Sequence, residues 1–375
     1  MIDRKRAAIC LAASGKLAGA DAASIRAVIG LDGFVDEIVQ IVDKRANAHK
    51  FERIATIDRF AKRIAEAAGQ SANIELVVTL QKLGGNGPIM ANALAAIGLG
   101  VTYIGNLGFP DIHPVFHDFA KKSRVLSIAE PCHTDALEFD DGKVMLGKLT
   151  PTAEITWENI VSRIGITKLI DLVASARLIG TVNWTMLPYM NDIWQHLASE
   201  VLSKVPHRER ILFVDLADPE KRTREDLQIG LKKLEIFRPY AHVILGLNLK
   251  EATQVAAALG LTVSSDPEKE IESLAGTIRK KLDLGTVVIH PRAGAAAADS
   301  HGSATFAGPF VKQPKISTGA GDHFNAGFVA GRLLGLDLVE SLCTGTATSG
   351  FYVRNAVSPT LADLAEFIRD LPDPQ

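Results

Sequence analysis

The feature that most constrains the fold is an alternation along the chain of short β-branched, apolar runs with segments of helical periodicity. Several runs are apolar throughout, as strands buried on both faces of a sheet are. The alternation predicts a mostly parallel central sheet with helices on both faces, that is, a three-layer α/β/α sandwich. The predicted strands lie at 27–31, 101–105, 124–128, 178–182, 211–216, 242–247 and 286–290.

Two segments break this rhythm and read as half-buried strands. They are 35–44 and 133–149, and the second has an Asp141-Gly142 turn at its middle. They predict a small β lid at the edge of the sheet, built from segments at approximately 34–50, 73–83 and 131–150. Since no repeat or linker interrupts the chain, residues 1–375 are predicted to form a single domain with this lid.

Charge and cysteine usage narrow the partners and the compartment. The 41 basic and 43 acidic side chains leave a net charge of -2, so neither nucleic acid nor an anionic membrane is an expected partner. Cys10, Cys132 and Cys343 have no paired spacing, which argues against a disulfide framework and favours a cytoplasmic location. The sequence contains no unbroken run of about eighteen apolar residues, so it does not predict a membrane span.

A glycine-rich run near the C-terminus is the strongest candidate for chemistry. Gly319, Ala320, Gly321 and Asp322 precede a long helical pattern, where small residues let several amides converge on one anion. Asp322 would then lie in the first helical turn and accept a proton from an attacking hydroxyl group. The alternative is that the glycines only shape a turn and Asp322 caps the helix.

The run 317–328 resembles the C-terminal signature of the ribokinase-like (PfkB) carbohydrate kinases. The resemblance implies a ribokinase-like fold. It also implies that the amides of Gly319, Ala320 and Gly321 form an anion hole and that Asp322 is the catalytic base.

Two further matches lie on the acceptor side of the family's site. The run Gly-Gly-Asn-Gly at 84–87 is similar to the N-terminal signature, which implies that Gly85 and Asn86 bind the substrate. Asp32 and Asp36 follow the first strand, where the family places a carboxylate that chelates substrate hydroxyls. Asp32 is favoured because it lies nearer the strand.

On the nucleotide side, Asn248 and Glu251 match the family's Asn-x-x-Glu element, which organises Mg²⁺ and water. The resemblance implies that both residues hold the metal. They are expected to contact it through bound water, because Mg²⁺ gives up its hydration shell reluctantly. A helix cap with a capping-box partner is the alternative. Gly294, Thr346 and Ser349 fall in the regions that contact the nucleotide in the family.

The chain also departs from the family pattern. Ile316 replaces a frequent acidic residue, and Ile89 stands where sugar kinases often carry Asn. The strand that normally ends in Thr-x-Gly reads His-Pro-Arg from His290 to Arg292, and either of these basic residues is a candidate for a phosphate contact. These departures leave the acceptor and any monovalent-cation dependence open.

The leading hypothesis is therefore Mg²⁺-dependent transfer of a phosphoryl group from ATP to a hydroxyl of a sugar, sugar acid or nucleoside. Two alternatives stay open: a non-catalytic sugar- or nucleotide-binding regulatory protein on the same fold, and a sugar kinase that uses ADP. An exposed edge of the lid sheet also offers a surface for a homodimer.

Overall fold

A computed structural model describes residues 4–375. The helices are α1 Arg4–Ala18, α2 Ile57–Ala65, α3 Asn86–Ile97, α4 His117–Ala120, α5 Trp157–Ile164, α6 Ile166–Ser175, α7 Met190–His196, α8 Arg224–Lys233, α9 Leu249–Ala258, α10 Ile271–Leu282, α11 Ala320–Leu333, α12 Leu338–Asn355 and α13 Leu361–Arg369. The strands are β1 Arg26–Leu31, β2 Phe34–Asn47, β3 Lys50–Arg53, β4 Leu76–Gly84, β5 Gly100–Gly105, β6 Arg124–Ser127, β7 Cys132–Glu138, β8 Lys143–Lys148, β9 Leu178–Thr181, β10 Ile211–Asp215, β11 His242–Leu247, β12 Thr286–Ile289, β13 Gly294–Asp299 and β14 Gly302–Ala307.

Nine strands form the central sheet, in the order β14-β13-β12-β11-β10-β9-β1-β5-β6. The pairs from β12 across to β6 are parallel, whereas β13 and β14 add an antiparallel hairpin at one edge. Each of the seven predicted strands is present with bounds that differ by at most a residue, which confirms the mostly parallel sheet. The hairpin was not predicted.

The central sheet is covered on both faces. Along β11, Val243, Leu245 and Leu247 pack into a cluster with helices α5 to α10, whereas Ile244 packs into a second cluster with α1, α3, α11, α12 and α13. Successive side chains of a strand point to opposite faces, so a strand that is apolar throughout feeds two cores at once. The predicted three-layer arrangement is confirmed.

A second sheet carries the strands of the lid. It has the order β3-β2-β7-β8, and β4 pairs with β2. The strand β2 begins three residues after β1 ends, so the lid leaves the central sheet at the carboxyl end of β1. The helix α2 covers the outer part of this sheet, where the rings of Phe60 and Phe139 lie 5.6 Å apart. The division into a single domain 1–375 stays a prediction, and its first three residues lie outside the described part.

Parallel strands deliver polar residues to one edge of the central sheet. The residues that end or follow the carboxyl ends of five neighbouring strands are Asp32, Asn183, Asp215, Asn248 and His290. In open α/β sheets, ligands bind outside this edge. The fold therefore gathers side chains from distant parts of the sequence at one place.

Sequence distance did not indicate distance in space for the cysteines. All three are free and buried, yet the Sγ atoms of Cys10 and Cys343 lie 3.8 Å apart, where α1 packs on α12. Between residues 4 and 375, no helix combines the length and the apolar character that crossing a membrane requires.

The packing of α3 is open to a direct test, because this helix carries the Gly-Gly-Asn-Gly turn. Leu94 on α3 is 0% exposed and lies in the core, so Leu94→Ala is expected to lower the free energy of unfolding by about 2–5 kcal/mol in urea denaturation. Leu11→Ala is the control, since Leu11 is 66% exposed. Equal effects of the two substitutions would contradict the described packing.

Candidate active site

The glycine-rich turn precedes α11 and has the form of an anion site. Gly319 has φ of +90°, and a Cβ there would lie 3.1 Å from Ile89, so only glycine fits without strain. The Ala320 amide donates to the Ser317 carbonyl at 3.2 Å. Within residues 4–375, the amides of Gly319 and Gly321 meet no protein acceptor, and they lie at the positive end of a helix dipole.

Asp322 lies in the first turn of α11 and is 8% exposed. Its Oδ1 atom accepts a hydrogen bond from Asn86 Nδ2 at 2.9 Å, which joins the two family signatures in space. Burial raises the pKa of Asp322 to about 8, although the bond from Asn86 opposes the shift. The carboxyl group therefore exchanges its proton near neutral pH, as a general base does.

Asp32 holds the beginning of α3. Its Oδ1 atom accepts from the Gly87 amide at 2.8 Å, and its Oδ2 atom accepts from the Asn86 amide at 2.9 Å and from Asn183 Nδ2 at 2.8 Å. Gly85 has φ of +93°, and a Cβ there would lie 2.9 Å from Asp32 Oδ2. Burial raises the pKa of Asp32 to about 6. This carboxyl group is 0% exposed, so it positions the turn in addition to its predicted role toward substrate.

Asp36 lies within β2, in the lid sheet. Its neighbours across the sheet are Lys82 on β4 and Thr134 on β7. Its carboxyl group contacts the backbone of Gly84, where any side chain would collide with it. Burial raises the pKa of Asp36, and Lys82 opposes that shift.

The structure thus brings together at one turn the four residues that are predicted to bind the substrate. Asp36 meets the first glycine of the pair 84–85, Asp32 meets the second, and Asn86 links the turn to Asp322. Two helix N-termini, those of α3 and α11, lie on either side of this contact.

A cavity of about 350 Å³ opens on the other side of the glycine-rich turn. Four of the residues predicted to bind nucleotide and metal line it together with Ala320 and Gly321. They are Asn248, Gly294, Thr346 and Ser349. The hydroxyl group of Thr346 donates within α12, to the Leu342 carbonyl at 3.0 Å.

Glu251 does not line that cavity and is buried beside it. Its Oε2 atom accepts from the Asn248 amide at 2.9 Å, while Asn248 Oδ1 accepts from the Glu251 amide at 2.9 Å. The capping box that the sequence left as an alternative is therefore present. The Oε1 atom of Glu251 accepts from the Asp218 amide at 2.9 Å, and burial raises the pKa of Glu251.

Sequence reasoning missed a buried acid beside this site. Asp215 ends β10, and its Oδ2 atom accepts from Asn325 Nδ2 on α11 at 3.1 Å. The Oδ1 atoms of Asp215 and Asn325 are buried without a protein partner in the described part of the chain. Burial, with the charges of Glu251 and Asp322, raises the pKa of Asp215 well above its ordinary range. The signal was available, because Asp215 lies at the carboxyl end of a predicted strand.

The donor set fits a bound cation. Within residues 4–375, no group of three or more His, Cys, Asp and Glu forms a ready metal cage. Mg²⁺ does not need one, since one or two carboxylates, waters and substrate phosphates complete its octahedron. A buried carboxylate oxygen without a partner, as on Asp215, is costly unless a proton or a cation joins it.

His290 follows β12 and lines the cavity. Its ring lies 4.6 Å from that of Phe324, and its Nε2 atom is buried without a protein partner in the part of the chain described. Burial lowers the pKa of His290 to about 4, so its ring is neutral at physiological pH. Arg292 also lines the cavity and lies over the Phe310 ring, 5.8 Å from its centre.

The raised pKa of Asp322 predicts a pH-dependent stability. Because burial raises it from 3.8 to about 8, folding takes up a proton between these values, and the wild type loses stability as pH rises through that window. Asp322→Asn removes the titrating group. We expect it to raise the free energy of unfolding in urea more at about pH 8 than at about pH 5.

Asp118→Asn is the control of opposite sign, because Lys121 lowers the pKa of Asp118. This substitution should give no gain at the higher pH. A gain for Asp322→Asn that is equal at both pH values, or a loss at the higher one, would contradict the burial of its charge.

Comparison with solved structures identifies the fold. A carbohydrate kinase from Agrobacterium tumefaciens superposes with a TM-score of 0.62 at 18% identity, covering 93% of this chain and 98% of its own. The ribokinase of Arabidopsis thaliana, solved with ribose and ATP, gives a TM-score of 0.60 at 16% identity, covering 92% and 99%. The predicted ribokinase-like fold is confirmed.

Comparison of sequences identifies the family. The ketohexokinase of Haloferax volcanii is 29% identical over 344 residues, which make up 91% of this chain and 90% of the relative. A family model described as prokaryotic ketohexokinase matches residues 3–371. The chain therefore belongs to the prokaryotic ketohexokinase family, and it is a carbohydrate kinase.

Proposed function

We propose that the protein transfers the γ-phosphoryl group of ATP to a hydroxyl group of a ketohexose in a Mg²⁺-dependent reaction. The observation that carries this proposal is the position of Asp322. It receives a hydrogen bond from Asn86 on the acceptor side, and it follows the amides of Gly319 and Gly321, which meet no protein acceptor among residues 4–375. A base and an anion site are thus held on one helical turn.

The acceptor class is proposed from the family and from its relative in Haloferax volcanii, both of which are described as ketohexokinases. Asp36, Gly85 and Asn86 surround the approach to Asp322 and offer carboxylate, amide and carboxamide groups to sugar hydroxyls. Asp32 fixes this turn through three hydrogen bonds. The predicted substrate role of all four is retained in the proposal.

The proposed chemistry is mostly positioning and charge stabilisation. Asp322 in its ionised form orients the acceptor hydroxyl and takes its proton, while the amides of Gly319 and Gly321 stabilise charge on the transferring group. The Ala320 amide donates to Ser317 and shapes the turn. Because the ionised form is the active one and the pKa lies at about 8 in the free protein, activity is expected to rise with pH toward that value.

The donor is proposed to occupy the cavity beside the turn. Gly294, Thr346 and Ser349 line it, and a neighbour of the same fold was solved with ATP. Asn248 and Glu251 are proposed to hold Mg²⁺ through water, and Asp215 joins them because of its unpartnered oxygen. When bound, this ion would offset the negative charge of the phosphates and of the buried acids Asp215, Glu251 and Asp322.

Removal of the base tests the central assignment. Asp322→Asn keeps the size of the side chain and removes its basicity, so kcat for a ketohexose is expected to fall by about 10²–10⁴-fold in a coupled assay. Asp58→Asn is the matched control, because Asp58 also lies in a first helical turn, that of α2, and is exposed. Near-wild-type turnover by Asp322→Asn would refute the base.

The same assay decides the substrates. Wild-type protein is given ATP or ADP with a ketohexose, an aldohexose or a nucleoside, with and without Mg²⁺. The proposal expects phosphorylated ketohexose only with ATP and Mg²⁺. Turnover with ADP would instead support the alternative donor, and turnover with the nucleoside alone would refute the acceptor class.

We also propose that the lid mediates a homodimer. Six of the eleven exposed large apolar side chains among the described residues belong to β4, β8 or the residue after β8: Leu76, Val78, Leu80, Met145, Leu146 and Leu149. Leu80 and Met145 end one row across the sheet, with Ile38 and Ala136 between them. We propose that this row, an apolar strip that is exposed at both of its ends, is the surface covered in the dimer.

Leu80→Arg is expected to convert the dimer into a monomer in light scattering, because it puts a charge into this strip. Ile229→Arg, at an equally exposed apolar site on α8, should leave the dimer intact. A wild type that is monomeric at micromolar concentration would refute the proposal. The three buried thiols and the net charge of -2 agree with the further proposals of a cytoplasmic location and of no nucleic-acid partner.

A further inference from the structure

A pair of stacked rings lies behind the glycine-rich turn. His323 on α11 is 2% exposed, and its ring stacks on that of Tyr352 on α12 at 3.6 Å between ring centres, with an angle of 12°. Each ring contacts one carbonyl oxygen of the turn. Tyr352 donates its hydroxyl hydrogen to Thr318 at 3.0 Å, and His323 Nδ1 lies 2.7 Å from the carbonyl oxygen of Gly319.

The hydrogen bonds fix the tautomer of His323. A carbonyl oxygen only accepts, so the ring carries its hydrogen on Nδ1, and Nε2 accepts from the Ser358 hydroxyl at 2.9 Å. The Ser358 oxygen accepts in turn from Asn92 Nδ2 on α3 at 3.1 Å. Burial lowers the pKa of His323 to about 4 and raises that of Tyr352 to about 12, so this pattern persists across physiological pH.

These bonds fix two consecutive peptide units. A trans peptide unit is planar, and its N–H points away from its C=O. The carbonyl of Thr318 shares a unit with the Gly319 amide, and the carbonyl of Gly319 shares the next unit with the Ala320 amide. Gly319, at φ of +90° and ψ of 2°, lies between them, and its carbonyl oxygen also accepts from the His323 amide at 3.1 Å.

We propose that His323 and Tyr352 are positioning residues for phosphoryl transfer, which hold the turn so that the Gly319 amide faces the transferring group. This inference rests on the proposed anion hole. The bond through Ser358 to Asn92 also ties the turn to α3, the helix that begins at Asn86 on the acceptor side. Donor and acceptor sides are therefore held in register at two points, here and at the contact between Asn86 and Asp322.

A purely structural role would need less. Apolar rings fill a buried space without polar atoms, whereas each buried polar atom here is costly unless it is bonded. The rings of His323 and Tyr352 direct their donors at adjacent carbonyls of the turn that precedes Asp322. Positioning predicts an effect on kcat that packing alone does not.

The test compares Tyr352→Phe, His323→Phe and His323→Asn with wild type. The first two keep a stacked ring and lose the donor, so kcat is expected to fall about tenfold and about 10²-fold, with KM for the sugar within about twofold. In His323→Asn, the amide nitrogen replaces Nδ1 as donor. It should recover about tenfold of the loss in kcat. Ser341→Ala, which removes another buried hydroxyl from α12, should leave kcat unchanged.

The inference is overturned if Tyr352→Phe and His323→Phe keep kcat within about twofold of wild type, or if His323→Asn is no faster than His323→Phe. Should His323→Phe fail to fold, Tyr352→Phe decides alone. A failure of the proposed function looks different. In that case the wild type phosphorylates no sugar, or Asp322→Asn keeps wild-type turnover, whereas an unchanged kcat in the ring variants alone refutes only the positioning role.

Discussion

The site depends on the burial of one carboxyl group that two parts of the molecule share. Asp322 lies in the first turn of α11 and contacts Asn86 at the beginning of α3, where burial makes its charge costly and raises its pKa to about 8. The hydrogen bond from Asn86 and the dipole of α11 offset part of that cost. The pKa values of Asp215 and Glu251, which are buried nearby, are also raised. The free protein therefore favours protons here, and a bound cation would compete with them.

The fold supplies this arrangement through strand ends and helix beginnings. Parallel strands place Asp32 and Asp215 at one edge of the central sheet, while the helices α3 and α11 begin there. Helix N-termini leave amides without partners. Asp32 accepts from the amides of Asn86 and Gly87 at α3, whereas the amides of Gly319 and Gly321 at α11 meet no protein acceptor in the described part of the chain. The amides of the two glycine-rich turns therefore differ in their hydrogen bonding, because the buried carboxylate of Asp32 accepts from those at α3 and not from those at α11.

Local patterns predicted most of the framework, because buried parallel strands are apolar throughout and glycine-rich turns precede helices. The hairpin β13–β14 escaped because its alanine run, 295–298, lacks β-branched residues. Hydrogen bonds between residues that are distant in the sequence were also not predicted. The bonds from Asn183 to Asp32 and from Asn325 to Asp215 depend on which strands become neighbours, and local spacing carries no such information. Asp36 was grouped with a strand exit, yet it lies within the lid sheet.

The pH dependence of kcat/KM for the sugar is the most direct test of Asp322 as the base, because this quantity reports the protonation state of the enzyme before the sugar binds. It is measured at saturating nucleotide and Mg²⁺ for wild type. If Asp322 is the base, kcat/KM rises with pH along one limb that ends at or below about pH 8, where its carboxyl group is ionised. A value that stays constant or falls from about pH 5 to about pH 8 would contradict Asp322 as the base.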